Sequence, residues 1–477
     1  MRMFRGKNFS PRLHDRRRLQ RRGAILIVAM VTCATLAGVV LALSHTMAIE
    51  AIAAANQAAR SQASAIELGG EQYVIGAITD QNTAVMQLTD DQFDAIPCGD
   101  GYFWVLRPQT DDASLPTFGL VDESSKLNIN YASYNALLQL PGMSDQPDVA
   151  ASIINWRNTN GQTQPLGATN DFYQSQPDPY YMKGYLFPQN PQYETVEELL
   201  LVSGVTPQIL YGDGTAPPLG QANSSIGSVG MSTSGDVEIS RGLYSLLTIY
   251  SQEPATAPNG GGQRQNVRTI TAGGRNGGGN LATIRNFLTQ QLGHSVNVFP
   301  GTYNDLFQFY TRTGMSSDDF SKVFDQLAVP SATGGAANTP IYGRINVNTA
   351  PPEVLACINN GLSSADVQKI VAARAANNGD PAAPIGWLVK ALGADVNQLG
   401  NAVTDQPSRY SADILAVSGN GRAFKRVRVV IDASGQTPQI IYRRDITDRG
   451  WPMDPQLLTT IRAGQFTGND QVVQGVQ

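Results

Sequence analysis

Few side chains in this 477-residue chain are spaced for chemistry. His14, His45 and His294 stand alone, and Cys33, Cys98 and Cys357 share no metal-ligand spacing with them or with each other. An oxidising compartment would allow Cys98 to pair with Cys357, although two small buried thiols are the simpler reading. The carboxylates Asp122 and Glu123 adjoin no histidine, nucleophile motif or phosphate loop, so they read as polarity at a helix entry and not as an acid/base pair. Backbone chemistry is what remains. Asn128 and Asn130 precede Gly142, and Asn346 and Asn348 precede Gly361. Asn-rich turns that cap a first helix, with a glycine turn and a second helix packing back, make a helix-hairpin-helix unit. Such a unit can offer turn N–H groups to a phosphate. Here the turns carry Ser144, Asp145 and Asp148, or Ser363, Ser364 and Asp366, without the Lys/Arg cluster that supplies affinity for nucleic acid.

The two motifs belong to an internal repeat. Lys126-Leu127-Asn128-Ile129-Asn130-Tyr131-Ala132, Leu137-Leu138, Ile153-Ile154 and Trp156-Arg157 match Arg344-Ile345-Asn346-Val347-Asn348-Thr349-Ala350, Val354-Leu355, Ile370-Val371 and Ala373-Arg374. Each copy is followed by a short apolar helix, Val196 to Val202 with Gly204 and Trp387 to Leu392 with Gly393.

Strands flank these units. Gly101 to Arg107, Phe118 to Val121 and Tyr244 to Tyr250 read as strands, and Arg409 to Val417, Phe424 to Ile431 and Gln439 to Arg444 as an antiparallel meander. Residues 214–236 and 254–280 are rich in Gly, Ser, Asn and Pro and read as loops, followed by helical stretches over Leu281–Leu292 and Tyr303–Leu327.

Charge separates the N-terminus from the rest. Nine of the 34 basic residues and one of the 39 acidic residues lie in residues 1–23, so the remainder carries a net charge of −13. An acidic body with a basic tip does not suit a polyanion, whereas it matches an orientation signal that keeps the basic end in the cytoplasm. Ala24 to Ser44 follows without a charge, long enough as a helix to cross a bilayer's hydrocarbon core. A secretory signal cut after Ser44, at Ala42-x-Ser44, is the rival reading. Apolar residues at helical spacing continue from Ile49 to Ile78, so one spine helix of about 55 residues is expected, with Gly69-Gly70 as a candidate bend.

The expected fold class is α+β: a long N-terminal membrane-spanning helix and a small antiparallel sheet with inserted helical (helix-hairpin-helix or SAM-like) units. The expected boundaries are a basic leader (1–23), the transmembrane (24–44) and outer (45–80) halves of the spine, and a first part of the sheet (81–122). A first helical unit (123–213), a linker and strand (214–253) and an insertion of loops and helices (254–340) come next. A second helical unit (341–405), C-terminal strands (406–446) and a tail (447–477) complete the chain.

With these features in order, the chain resembles the type II secretion system protein K family of large minor pseudopilins. Arg22-Gly23 before Ala24-Ile25-Leu26-Ile27-Val28 looks like a prepilin-peptidase leader junction. Asp122-Glu123-x-x-Lys126-Leu127-Asn128-Ile129-Asn130 resembles the family's D-E-x-G-K-I-N-L-N motif, and Glu194-Thr195-Val196-Glu197-Glu198-Leu199 with Gly204-Val205-Thr206 its S-V-E-E-L-x-x-V-x-G-M-T motif. Ile345-Asn346-Val347-Asn348-Thr349-Ala350-Pro351 matches I-N-V-N-T-A-P.

The resemblance implies a non-enzymatic protein of the bacterial inner membrane, single-pass, with a cytoplasmic N-terminus and a periplasmic body. It implies cleavage between Gly23 and Ala24, methylation of the new N-terminus, and a place at the tip of a short pseudopilus. Its partners would be other minor pseudopilins, the major pseudopilin, the inner-membrane secretion platform, membrane lipid and the prepilin peptidase. Most pilins carry Glu five residues after the cut. Val28 stands there, which suits a tip subunit with no neighbour above to neutralise a carboxylate. The family's calcium-suited acidic runs are replaced by Asn155-Trp156-Arg157-Asn158-Thr159-Asn160 and Gly167-Ala168-Thr169-Asn170-Asp171, so no cofactor is expected and Asn158, Asn160 and Asp171 are only weak calcium candidates. The roughly 90 residues from Tyr250 to Ile341 exceed what the resemblance leads one to expect. The alternative function is a membrane-tethered helix-hairpin-helix protein that binds DNA during uptake.

Overall fold

The computed structural model describes residues 15–80, 92–107, 117–159, 161, 163–212, 242–257, 262–273, 279–330, 340–376, 382–435 and 437–468. It divides into two compact units, residues 1–62 and 63–477. Helix α1, Asp15–Thr79, contributes to both. Within the first unit the side chains from Ile25 to Ala54 are all exposed, including Ile25, Leu26, Ile27, Leu36 and Leu41. An apolar surface of this length with no protein against it belongs in a lipid or a partner environment. Among the described residues it lies on the one helix apolar enough to cross a membrane.

The second unit begins with the rest of α1, whose Ile66, Val74 and Ile78 join a core built on a mostly antiparallel sheet. Strands β1 (Ile96–Cys98) and β2 (Gly101–Arg107) are followed in space by Arg409–Val417, Phe424–Asp432 and Gln439–Asp445, each pairing antiparallel with its neighbour. The central strand, Arg409–Val417, therefore arrives some 300 residues after the strand it pairs with. Its residues are buried from Tyr410 to Val417 because both sheet faces are covered. Phe103 and Ile414 meet α1 at Gly70, while Trp104 packs edge-on against Trp451, near Phe466. That double cover explains why the strand reads as an apolar run and not as an alternation.

Gly69-Gly70 does not interrupt α1, which is helical through both. A Cβ at Gly70 would stand 2.9 Å from Ile414 Cγ2, and one at Gly69 would stand 2.9 Å from Cys98 Sγ. The glycines let helix and sheet approach closely. On the flanks of this contact Glu67 and Glu71 accept hydrogen bonds from Arg443, at 2.8 and 2.6 Å, tying the edge strand Gln439–Asp445 to the helix.

The three C-terminal strands occur as the sequence predicts, and so does the helix Leu281–Leu292. Three expectations need correction. Phe118 to Val121 is two short strands, Thr117–Phe118 and Val121–Asp122, parted at Gly119 with φ +126°. Tyr244 to Tyr250 is a 3-10 turn, Tyr244–Leu246, and a two-residue strand, Leu247–Thr248. Tyr303–Leu327 is broken into Leu306–Thr313 and Ser317–Val323, because Gly314 takes φ +65° and Ser316 starts a new helix. Most of residues 214–253 lies outside the described residues.

Buried hydrophobic residues between Leu127 and Val403 form a second core. Phe307, Phe309, Phe320 and Phe324, from the unexpectedly long stretch before Ile341, are fully buried in it beside Ile153 and Ile370 of the two repeat copies. That stretch contributes buried residues to this core and bonds to the second helical unit and just beyond it, Lys390 to Asp318 and Gln406 to Asp325.

Candidate functional site: the paired asparagine turns

The repeat is a repeat in three dimensions, down to single hydrogen bonds. In the first copy Leu127–Asn128 pairs parallel with Leu247–Thr248; in the second Ile345–Asn346 pairs parallel with Val403–Thr404. The Asn128 Oδ1 accepts from the Asn130 amide and the Asn346 Oδ1 from the Asn348 amide, both at 3.0 Å. These are Asx turns. Contrary to expectation, the asparagines therefore do not cap the following helices. Ser133 caps α2 (Tyr134–Leu138), and Pro351-Pro352 opens Pro352–Leu355.

The second asparagine of each pair reaches across its unit. Asn130 exchanges two hydrogen bonds with the backbone of Tyr193, and Asn348 donates to Ala383 O and accepts from Trp387 Nε1 at 2.9 Å. The helices that follow the glycine turns, α3 (Pro147–Trp156) and Ser364–Ala375, return an arginine to each turn. Arg157 donates to the carbonyls of Asn130 and Ala132, and Arg374 donates to that of Ala350 at 2.5 Å. A planar guanidinium suits two carbonyls at once. The matching positions of Arg157 and Arg374 in the two copies are the sequence signal for this shared role.

Asp122 joins the two copies. It is fully buried ahead of the first copy, yet its Oδ2 accepts from Asn346 Nδ2 at 2.8 Å and from Thr349 Oγ1 at 2.7 Å in the second. Its Oδ1 accepts from the Ser124 amide, so it does stand at a helix entry, that of the 3-10 turn Glu123–Ser125. Burial pushes its carboxyl up to about 6 against the pull of those donors. Burial acts on Glu123 in the same direction, but its pairing with Lys126 brings it below the ordinary value, and it also accepts from Thr248 Oγ1.

A reciprocal link runs the other way. Arg344, just ahead of the second copy, is buried against Glu253, which follows the first and also pairs with Arg264. Burial lowers both arginines to about 10, still far above neutral pH, so both guanidinium groups stay charged.

The glycine turns have the expected conformation, with φ +72° at Gly142 and +116° at Gly361. The second lies against the first copy: a Cβ at Gly361 would lie 3.1 Å from Gln139 Nε2, and Ser133 Oγ donates to Asn360 at 2.7 Å. With Arg157 and Arg374 spent on internal carbonyls, these turns offer no cation to a phosphate.

The remaining candidates lie elsewhere. Gly23 and Ala24 fall inside helix α1, and Val28 is exposed on it. Asp171 is exposed in the short helix Asn170–Gln174, Asn158 follows α3, and Asn160 lies outside the described residues. Among the described residues no three His, Cys, Asp or Glu side chains converge as a metal would require. Cys98 and Cys357 are free thiols in separate cores, Cys357 Sγ donating to Glu353 O.

Residues 118–211 match a family model described as type II secretion system (T2SS), protein K, and residues 345–386 match a second model of the same description. The two matches fall on the two copies of the asparagine turn, in chain order. Over these two segments the chain matches the type II secretion system protein K family. No curated protein matches it. Among solved structures it is similar to a chain of the GspK-GspI-GspJ complex from the enterotoxigenic Escherichia coli type 2 secretion system, at 11% identity over 81% of this chain and 96% of that one, with a TM-score of 0.37. The motifs read from the sequence are thus the parts that build and join two helical units.

Proposed function

We propose that this protein is a minor pseudopilin that caps or initiates the periplasmic pseudopilus of a type II secretion system, the filament that drives export of folded proteins across the outer membrane. The observation that carries the reading is the pair of protein K matches behind an uncharged helical segment, residues 25–44. In this reading that segment anchors the chain in the inner membrane with the basic tract in the cytoplasm and the body in the periplasm. A prepilin peptidase cuts between Gly23 and Ala24, and the new N-terminus is methylated. Other minor pseudopilins and the major pseudopilin then pack against the exposed apolar helix, and the inner-membrane platform adds subunits below. Val28 leaves no acid to bury at the top of the filament. The role is structural, and no catalytic group is needed for it.

The test is N-terminal sequencing and intact mass of the protein from its own cells, with export assayed in a deletion strain. A methylated start at Ala24 and lost export of secreted proteins are expected. A start at Met1 or His45 would overturn the processing, and intact export would overturn the role. Loss of transformation with intact export would instead favour the DNA-uptake alternative.

A further inference from the structure

The first helical unit differs from its sibling in one respect that packing does not explain. Arg157 and Val196 are 39 positions apart, whereas their counterparts Arg374 and Trp387 are 13 apart. The extra chain carries exposed aromatic and aliphatic side chains: Phe172, Tyr180, Tyr181, Tyr185, Phe187 and, beside them, Leu201. Tyr185 is 61% and Phe187 57% exposed. In the second copy no large apolar side chain is exposed among the described residues between Tyr342 and Ile441. The same architecture therefore stands without such a surface.

The patch rests on a fixed base. Tyr181 and Tyr185 stack at 5.6 Å, Tyr180 packs on Tyr173 and Trp156, and the Tyr180 hydroxyl donates to Leu201 O at 3.0 Å. Beneath, Glu198 accepts from Trp156 Nε1 and from buried Lys183. Aromatic side chains held in this way lose little entropy when something docks on them.

The charges of the unit that carries the patch say what docks. Within residues 118–211 every exposed charged side chain is acidic: Asp145, Asp148, Asp171, Asp178 and Glu194. All three basic residues are spent internally, Lys126 on Glu123, Arg157 on carbonyls and Lys183 on Glu194 and Glu198. We infer that this face docks a partner protein segment combining apolar residues with Lys or Arg. A second copy would set acid against acid, and nucleic acid or an anionic bilayer would be repelled.

The experiment places the photo-crosslinker p-benzoylphenylalanine at position 185 of the full-length chain in secreting cells, with position 368 of the second copy (exposed Gln368) as control. Mass spectrometry should find an adduct with a different protein, on a peptide carrying Lys or Arg beside apolar residues. Its yield should exceed the control by about fivefold or more and fall at least as far in the D171K/D178K double variant. Circular dichroism checks that this variant folds; D171N/D178N replaces it if it does not. The inference is overturned by a yield equal to the control, by adducts only with lipid, with another copy or with a peptide lacking basic residues, or by indifference to the charge changes.

Discussion

Asp122 and Asn346 meet at 2.8 Å although 224 residues separate them. That one bond joins the motif that closes the first part of the sheet to the turn that opens the second helical unit. Truncating Asp122 leaves Asn346 Nδ2, Thr349 Oγ1 and the Ser124 amide without their acceptor. Asp122→Ala should destabilise the second unit by about 3 kcal/mol, and Asp122→Asn by less because one oxygen remains. Urea unfolding followed by circular dichroism measures both.

The same carboxyl sets a pH dependence. Its folded value of about 6 lies above the ordinary 3.8, so the folded state holds the proton more tightly than the unfolded chain does. Stability from this group is fully present below about 3.8 and declines as pH rises to about 6, by about 3 kcal/mol in all. Urea midpoints between pH 4 and pH 7 should fall in the wild type more steeply than in Asp122→Asn.

Burial, with Glu71 alongside, pushes Glu67 up to about 7, while Arg443 opposes the shift. Removing the arginine leaves two buried carboxyls facing each other. Arg443→Ala should raise the Glu67 value further and loosen the strand Gln439–Asp445. Hydrogen exchange should speed up at the backbone amides of residues 439–445, while β2 stays protected.

Two glycines of α1 should respond oppositely to one methyl group. At Gly70 a Cβ meets Ile414 and Phe103, whereas at Gly76 nothing lies within 4 Å. Gly70→Ala should cost about 1–3 kcal/mol. Gly76→Ala should stabilise by up to about 1 kcal/mol through helix propensity. Thermal melting of the two variants side by side checks the contrast.

Arg157 and Arg374 should be intolerant of a conservative change. Lysine cannot hold two carbonyls in one plane, so Arg157→Lys should cost about 1–2 kcal/mol. Arg374→Lys should behave alike, and the double variant should add, since the arginines serve different turns. A denaturant series on the four proteins decides it.

The sequence by itself determined what repeats locally. The charge-free run from Ala24 to Ser44, the C-terminal meander and the duplicated Asn-x-Asn turns follow from charge, strand-forming runs between turn residues and matching spacing, which neighbours along the chain impose. Tertiary structure decided what depends on partners far along the chain. Gly69-Gly70 reads as a bend until Ile414 and Phe103 occupy the space a side chain would need. Asp122 reads as helix-entry polarity until Asn346 and Thr349 arrive to share it. The long stretch after Tyr250 reads as an insertion until its phenylalanines join the second hydrophobic core. Burial and long-range hydrogen bonds follow from the fold's connectivity, and no local pattern of residues encodes that.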